Sequence, residues 1–90
     1  MVLACILIYC KPGSAEEVVK VIKEIKGIKR AFMVLGSCDI VAEYETESLE
    51  KLGITVYEIA KLPGVVSTET LIETILWGDI IAIIIINKCR

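Results

Sequence analysis

This sequence predicts an α+β fold of β-α-β-β-α-β order, and two observations carry the prediction. The first is repetition. Residues Glu24 to Leu35 read EIKGIKRAFMVL, and residues Ile59 to Ile72 read IAKLPGVVSTETLI. Each is a helix end, then a turn at Gly27 or Gly64, then a strand. Each also follows a charged, helix-periodic segment that itself follows an apolar strand. Two strand-helix-strand halves in tandem give a ferredoxin-like antiparallel sheet with two helices on one face. The second is length. Ninety residues make one domain, residues 1–90, with a core over 2–76 and a hydrophobic extension over 77–90.

The first strand is Val2 to Cys10. It is apolar almost throughout rather than alternating, so both of its faces are expected to be covered. Lys11-Pro12-Gly13 ends it. Ser14 with Glu17 three residues on reads as a capping box, opening a helix that runs to about Lys26. Val18, Val21, Ile22 and Ile25 form its apolar stripe, and Lys20, Lys23, Glu24 and Lys26 take the solvent side. Gly27 stops the helix in a position suited to a left-handed cap.

The second strand is Ile28 to Leu35, Gly36-Ser37 is a turn, and the third strand is about Cys38 to Glu45. There Ile40, Ala42 and Tyr44 face away from Val41 and Glu43. The second helix begins near Thr46 or Ser48 and ends near Leu62, with Leu49, Leu52, Val56 and Ile59 as its stripe. Pro63-Gly64 stops it, and the fourth strand runs from Val65 to about Leu76. Gly78-Asp79 suits a tight hairpin, after which Ile80 to Ile86 returns as an added C-terminal strand. A short apolar helix is the alternative there, and the abundance of β-branched isoleucine favours the strand. The polar tail Asn87 to Arg90 ends it.

Composition bounds the function. The chain is 56% hydrophobic with a mean hydropathy of +0.72, more than a small monomer hides, so it is expected to oligomerise. With no further helices to cover the second sheet face, a second copy of the sheet is the natural cover, giving a dimeric α/β barrel. The net charge is −2 and the basic residues are scattered, which argues against a nucleic-acid surface. The apolar run Ile80 to Ile86 is too short to span a bilayer. The start, Met1-Val2-Leu3, lacks the basic region of a secretory signal, so a cytoplasmic location is expected, with no membrane partner.

Chemistry is constrained further by what the chain lacks. It has no histidine and no Cys-x-x-Cys pair, so no metal site, no cofactor and no Ser-His or Cys-His catalysis is expected. Cys5, Cys10, Cys38 and Cys89 read as reduced thiols acting as small hydrophobes. Glu43, Glu45, Glu47 and Glu50 gather near the start of the second helix, where Glu47 and Glu50 suit the helix dipole.

Two places suit a small polar ligand. The turn Gly36-Ser37-Cys38-Asp39 offers backbone N–H groups and one carboxylate, a match for the two ends of an amino acid. On residue types alone a plain hairpin turn, with Gly and Asp there for conformational reasons, is the simpler reading. Ser67-Thr68-Glu69-Thr70 interrupts an apolar strand with polar groups that need partners if buried. A solvated or edge segment is the simpler reading.

In their order and spacing these residues resemble a known family. The pieces are Lys11-Pro12-Gly13, Gly27, the Gly36 and Asp39 turn, and Leu62-Pro63-Gly64-Val65-Val66 running into Ser67-Thr68-Glu69-Thr70. From Val2 to Leu76 the chain resembles a stand-alone regulation-of-amino-acid-metabolism (RAM) domain, the effector-binding domain of Lrp/AsnC transcriptional regulators. The resemblance implies a β-α-β-β-α-β sandwich that dimerises through its sheets. It also implies assembly into rings, commonly octamers, with an amino acid effector held at contacts between dimers. By position it implies ligand-binding roles for Gly36, Ser37, Asp39, Thr68 and Thr70.

Full-length members carry a DNA-binding helix-turn-helix, and none lies in these residues. Direct nucleic-acid binding is therefore not expected. A non-enzymatic sensor of an amino acid or related small molecule is, acting by co-assembly with full-length regulators. A family aromatic before the turn aspartate is replaced here by Cys38. A small dimeric α/β-barrel enzyme of monooxygenase or isomerase type is the rival reading, and a purely structural interaction module is the third.

Overall fold

The computed structural model of the chain describes residues 2–76 and 80–89, with side chains over residues 2–73. The expected order of elements is present: β1 (Val2–Cys10), α1 (Ala15–Lys23), β2 (Ile28–Met33), β3 (Ile40–Thr46), α2 (Leu49–Ala60), β4 (Val65–Leu76) and β5 (Ile80–Cys89). All pairings are antiparallel in one sheet of order β2-β3-β1-β4-β5. The first four strands with α1 and α2 make the ferredoxin-like α+β fold, and β5 extends the sheet beyond β4. The hairpin turn expected at Gly78-Asp79 lies outside the described residues.

Burial follows the strand period of two. Ala4, Ile6 and Ile8 of β1 and Ile40, Ala42 and Tyr44 of β3 are buried under the helices. In β4 Val65, Thr68, Thr70 and Ile72 are buried, the last three opposite Ile8, Ile6 and Ala4. The helices supply Val18, Val19, Ile22, Leu52, Val56 and Ile59 to this core. Full burial of each such aliphatic side chain contributes about 1.5–3 kcal/mol. The opposite sheet face carries Leu3, Cys5, Leu7 and Tyr9 of β1 beside Val41, Glu43, Glu69 and Leu71, all half-buried or exposed in the single chain.

Three local expectations are corrected. In α1 the buried residue is Val19, and Val21 is 48% exposed. Both fit a helical spacing with Val18 and Ile22, and only the docking angle on the sheet decides between them. In α2 Leu49 is 59% exposed, and Thr55 takes an interior place. Ser14 forms no capping box. Its backbone is already helical at φ −97°, ψ −16°, and no side-chain cap bond forms. Its Cβ instead packs close against Gly64. Ser48, extended at φ −145°, does cap: its Oγ accepts from Lys51 N–H at 3.2 Å.

Candidate ligand-binding site

The connection between β2 and β3 is fixed by one aspartate. Asp39 N–H donates to Ile8 O at 3.0 Å, Val34 N–H donates to Asp39 O at 3.0 Å, and Asp39 Oδ2 accepts from Cys10 N–H at 2.7 Å. The aspartate therefore straps the turn to the last residues of β1, where the β1–β4 register shifts between Tyr9 and Cys10. The β1–β3 pairing ends at Ile8 opposite Ile40, and beyond it the side chain supplies the acceptor for the Cys10 amide. Leu35, Gly36 and Ser37 are exposed, while Cys38 is buried. Among the described residues, the N–H groups of Gly36 and Ser37 donate to no other backbone group outside regular strands and helices. The second oxygen of the Asp39 carboxylate likewise carries no hydrogen bond there.

Electrostatic neighbours extend the site. Tyr9 Oη donates to Glu69 Oε1 at a long 3.5 Å. The Cys38 thiol is pushed up from its ordinary value by burial first, then by the Asp39 carboxylate, with Glu69 adding to it. Burial and then Glu69 and Cys38 push the Tyr9 phenol up. Cys38 thus stands within electrostatic reach of Tyr9, Asp39 and Glu69. The sequence reading missed Tyr9 and named Glu69 only as part of the polar run Ser67 to Thr70. The signal was available only through register, since Leu7 pairs with Glu69 and Tyr9 with Ser67.

Gly36, Ser37 and Asp39 sit together. Thr68 and Thr70 do not join them. They lie on the helix side of β4, 2% and 1% exposed, whereas Tyr9 and Glu69 occupy the other face. Thr70 Oγ1 is buried without a hydrogen-bond partner. Thr70→Val is therefore expected to leave stability unchanged or raise it by about 1 kcal/mol, since it removes an unmet polar group at nearly constant shape. Urea denaturation checks this, and a marked loss would mean that the hydroxyl has a partner.

Burial, then Asp39, also pushes the Cys10 thiol up. Burial, then Glu43 and Cys38, does the same for Cys5. These thiols are protonated at neutral pH, which suits packing rather than nucleophilic attack. The sign of the pH effect follows. The unfolded chain releases its thiol protons near pH ~8.5, before the folded chain does. The contribution is full below that pH and is lost as pH rises through the folded values. Wild type should lose more stability between pH 7.5 and 9.5 than Cys10→Ser/Cys38→Ser. An equal loss in both would dismiss the linkage.

Two clefts lie elsewhere. The larger, about 720 Å³, opens between the start of β2 and α2 and holds none of the residues above. Its floor hydrogen bond, Tyr44 Oη with Thr55 Oγ1 at 2.8 Å, is satisfied. Its charges are partly paired already, Lys29 with Glu45 at 3.1 Å and Lys51 with Glu47 at 4.0 Å. The smaller, about 350 Å³, lies on the open sheet face between Leu3, Cys5, Lys29, Glu43, Leu71 and Glu73. No cluster of potential metal ligands occurs among the described residues. No helix there is long and apolar enough to cross a membrane.

Sheet order and helix placement define a ferredoxin-like α+β domain. Residues 3–74 match the Lrp/AsnC ligand binding domain, and the chain belongs to that family. Domains of this family bind small-molecule effectors, typically oligomerise, and serve regulation of transcription. No curated protein matches the sequence.

Solved structures agree. A protein from Thermus thermophilus superposes with a TM-score of 0.80 at 28% identity, over 87% of this chain and 99% of that one. FFRP-DM1 superposes with a TM-score of 0.76 at 33% identity, over 80% of this chain and 97% of that one. AsnC of E. coli shares the fold with a TM-score of 0.73 at 22% identity. It is matched over 92% of this chain but only 56% of its own length.

Proposed function

We propose that this chain is an oligomeric sensor of an amino acid, bound at the β2–β3 turn. The observation that carries the reading is the half-buried Asp39 carboxylate beside the exposed Gly36 and Ser37 amides. A carboxylate and free N–H donors at one turn match the ammonium and carboxylate of a zwitterion. Thr68 and Thr70, first assigned to the same pocket by resemblance, support the sheet from behind, so Tyr9 and Glu69 are the better polar neighbours. The sensor acts by co-assembly with full-length Lrp/AsnC regulators. Ligand shifts assembly, up to the octamer, only by its differential affinity for the assembled form. Isothermal titration calorimetry against the twenty amino acids tests this. Saturable heat from one or a few supports it, and no heat from any counts against it.

Dimerisation through the open sheet face is part of the proposal. That face carries Leu3, Leu7, Phe32, Val41 and Leu71, together with an Arg30–Glu43 pair at 3.8 Å. Arg30 also stands 4.8 Å from the Phe32 ring centroid. Leu7→Glu places a charge at its centre, opposite Val41 and Glu69. Light scattering should then report a smaller mass than wild type, and an unchanged mass would put the interface elsewhere.

The enzyme reading draws on one observation, the cleft that gathers Glu43, Glu73 and Lys29 on the open face. With no histidine in the chain and a Cys5 thiol held protonated, it has only carboxylate acid-base chemistry to use.

A further inference from the structure

We infer that the outer edge of β5 is a docking strand for β5 of a second copy, paired antiparallel, so that two sheets join edge to edge. The sheet has two edges, β2 and β5. They are built differently. β2 is 6 residues long, includes Lys29 and Arg30, and carries a register shift between Ile28 and Arg30. Short length, charge and irregularity are the devices that keep an edge from pairing. β5 is 10 residues long and pairs with β4 in unbroken register from Leu76 opposite Ile80 to Ser67 opposite Cys89. Its segment Ile80 to Ile86 has no charge, no proline and no glycine. Among the described residues, no strand pairs with its outer side. About half of its N–H and C=O groups, alternating along the strand, point away from β4.

The occupant follows from sequence and charge. A strand that joins here must be apolar at successive positions, because its neighbour is. β5 has that property itself, and a two-fold axis pairs a strand with its own copy without a second kind of surface. Asp79 precedes the run and Lys88 follows it. Parallel pairing in register sets Lys88 on Lys88, which antiparallel pairing avoids. A two-fold perpendicular to the sheet also leaves both helix layers on one side. The open face remains available, so this contact is independent of the face-to-face dimer and of any effector.

Cysteine scanning tests the inference. Single cysteines are placed in turn at positions 80–88, with Cys5, Cys10, Cys38 and Cys89 changed to serine, and oxidised gently. Covalent dimer should peak at one central position and fall towards both ends. Equal cross-linking at every position would indicate parallel pairing, and none at any position would leave the edge unused. Either outcome overturns the inference. Amide hydrogen exchange on the wild-type chain gives a check that needs no variant. Every β5 amide should exchange slowly, and alternation of slow and fast along the strand would overturn the pairing. Wild-type Cys89 should also fail to cross-link to itself along this edge, because antiparallel strands of this length hold their ends about 30 Å apart.

Discussion

Gly27→Ala is expected to cost about 2–4 kcal/mol of folding stability, the sum of backbone strain and overpacking. Gly27 has φ +97°, where a Cβ meets its own backbone. A Cβ there would stand 2.6 Å from Tyr44 Cε1 and 3.2 Å from Glu45 O. Relief is not available nearby. Glu45 N–H donates to Gly27 O at 3.0 Å, which fixes the corner against β3. The Tyr44 ring is buried and its hydroxyl is paired to Thr55 on α2. Moving the ring therefore breaks a buried hydrogen bond as well as the packing. A chain of this size has roughly 5–13 kcal/mol in all, so the loss should lower the urea midpoint clearly. Gly13→Ala is the comparison. Gly13 is also left-handed, at φ +83°, but nothing lies within 4 Å of its added Cβ. It should show the strain alone, about 1–2 kcal/mol. Equal losses in the two variants would refute the account of Gly27 as a packing corner.

The same corner shows what the sequence made legible. Turn glycines, strand runs and the order of elements are written locally, so β1 and β4 end where the pattern says, at Val2–Cys10 and Val65–Leu76. Choices that depend on a partner element are not local. Val19 and Val21 compete for one place under α1, and only the sheet beneath decides. The run Ser67 to Thr70 is polar at every position, so its parity cannot be read from β4 itself. Pairing with β1 puts Thr68 and Thr70 under the helices and Glu69 beside Tyr9. The turn at Asp39 was legible as a carboxylate among small residues. Its strapping role was not, because the Cys10 amide needs a side-chain acceptor only where the β1–β3 pairing ends, at Ile8 opposite Ile40.

That strapping role decides how the turn must be tested. From residue types alone, Asp39→Ala is expected to weaken effector binding and leave the fold intact. The structure separates two losses within that one change. Alanine removes the acceptor from Cys10 N–H at 2.7 Å and leaves the amide part-buried and unpaired, which costs about 1–3 kcal/mol of stability. It also removes the charge proposed to hold the effector ammonium. Asp39→Asn keeps an oxygen for the amide and removes only the charge. It should melt close to wild type, while effector affinity falls by about 10–100-fold, the worth of a charged hydrogen bond of about 1.5–3 kcal/mol. Asp39→Ala should show both losses. If Asp39→Asn binds as tightly as wild type while Asp39→Ala is destabilised, Asp39 is a strap alone, and the effector site has to be sought away from this carboxylate. If Asp39→Asn loses affinity without losing stability, the carboxylate has both jobs: one oxygen holds the turn to β1 and the other faces the ligand.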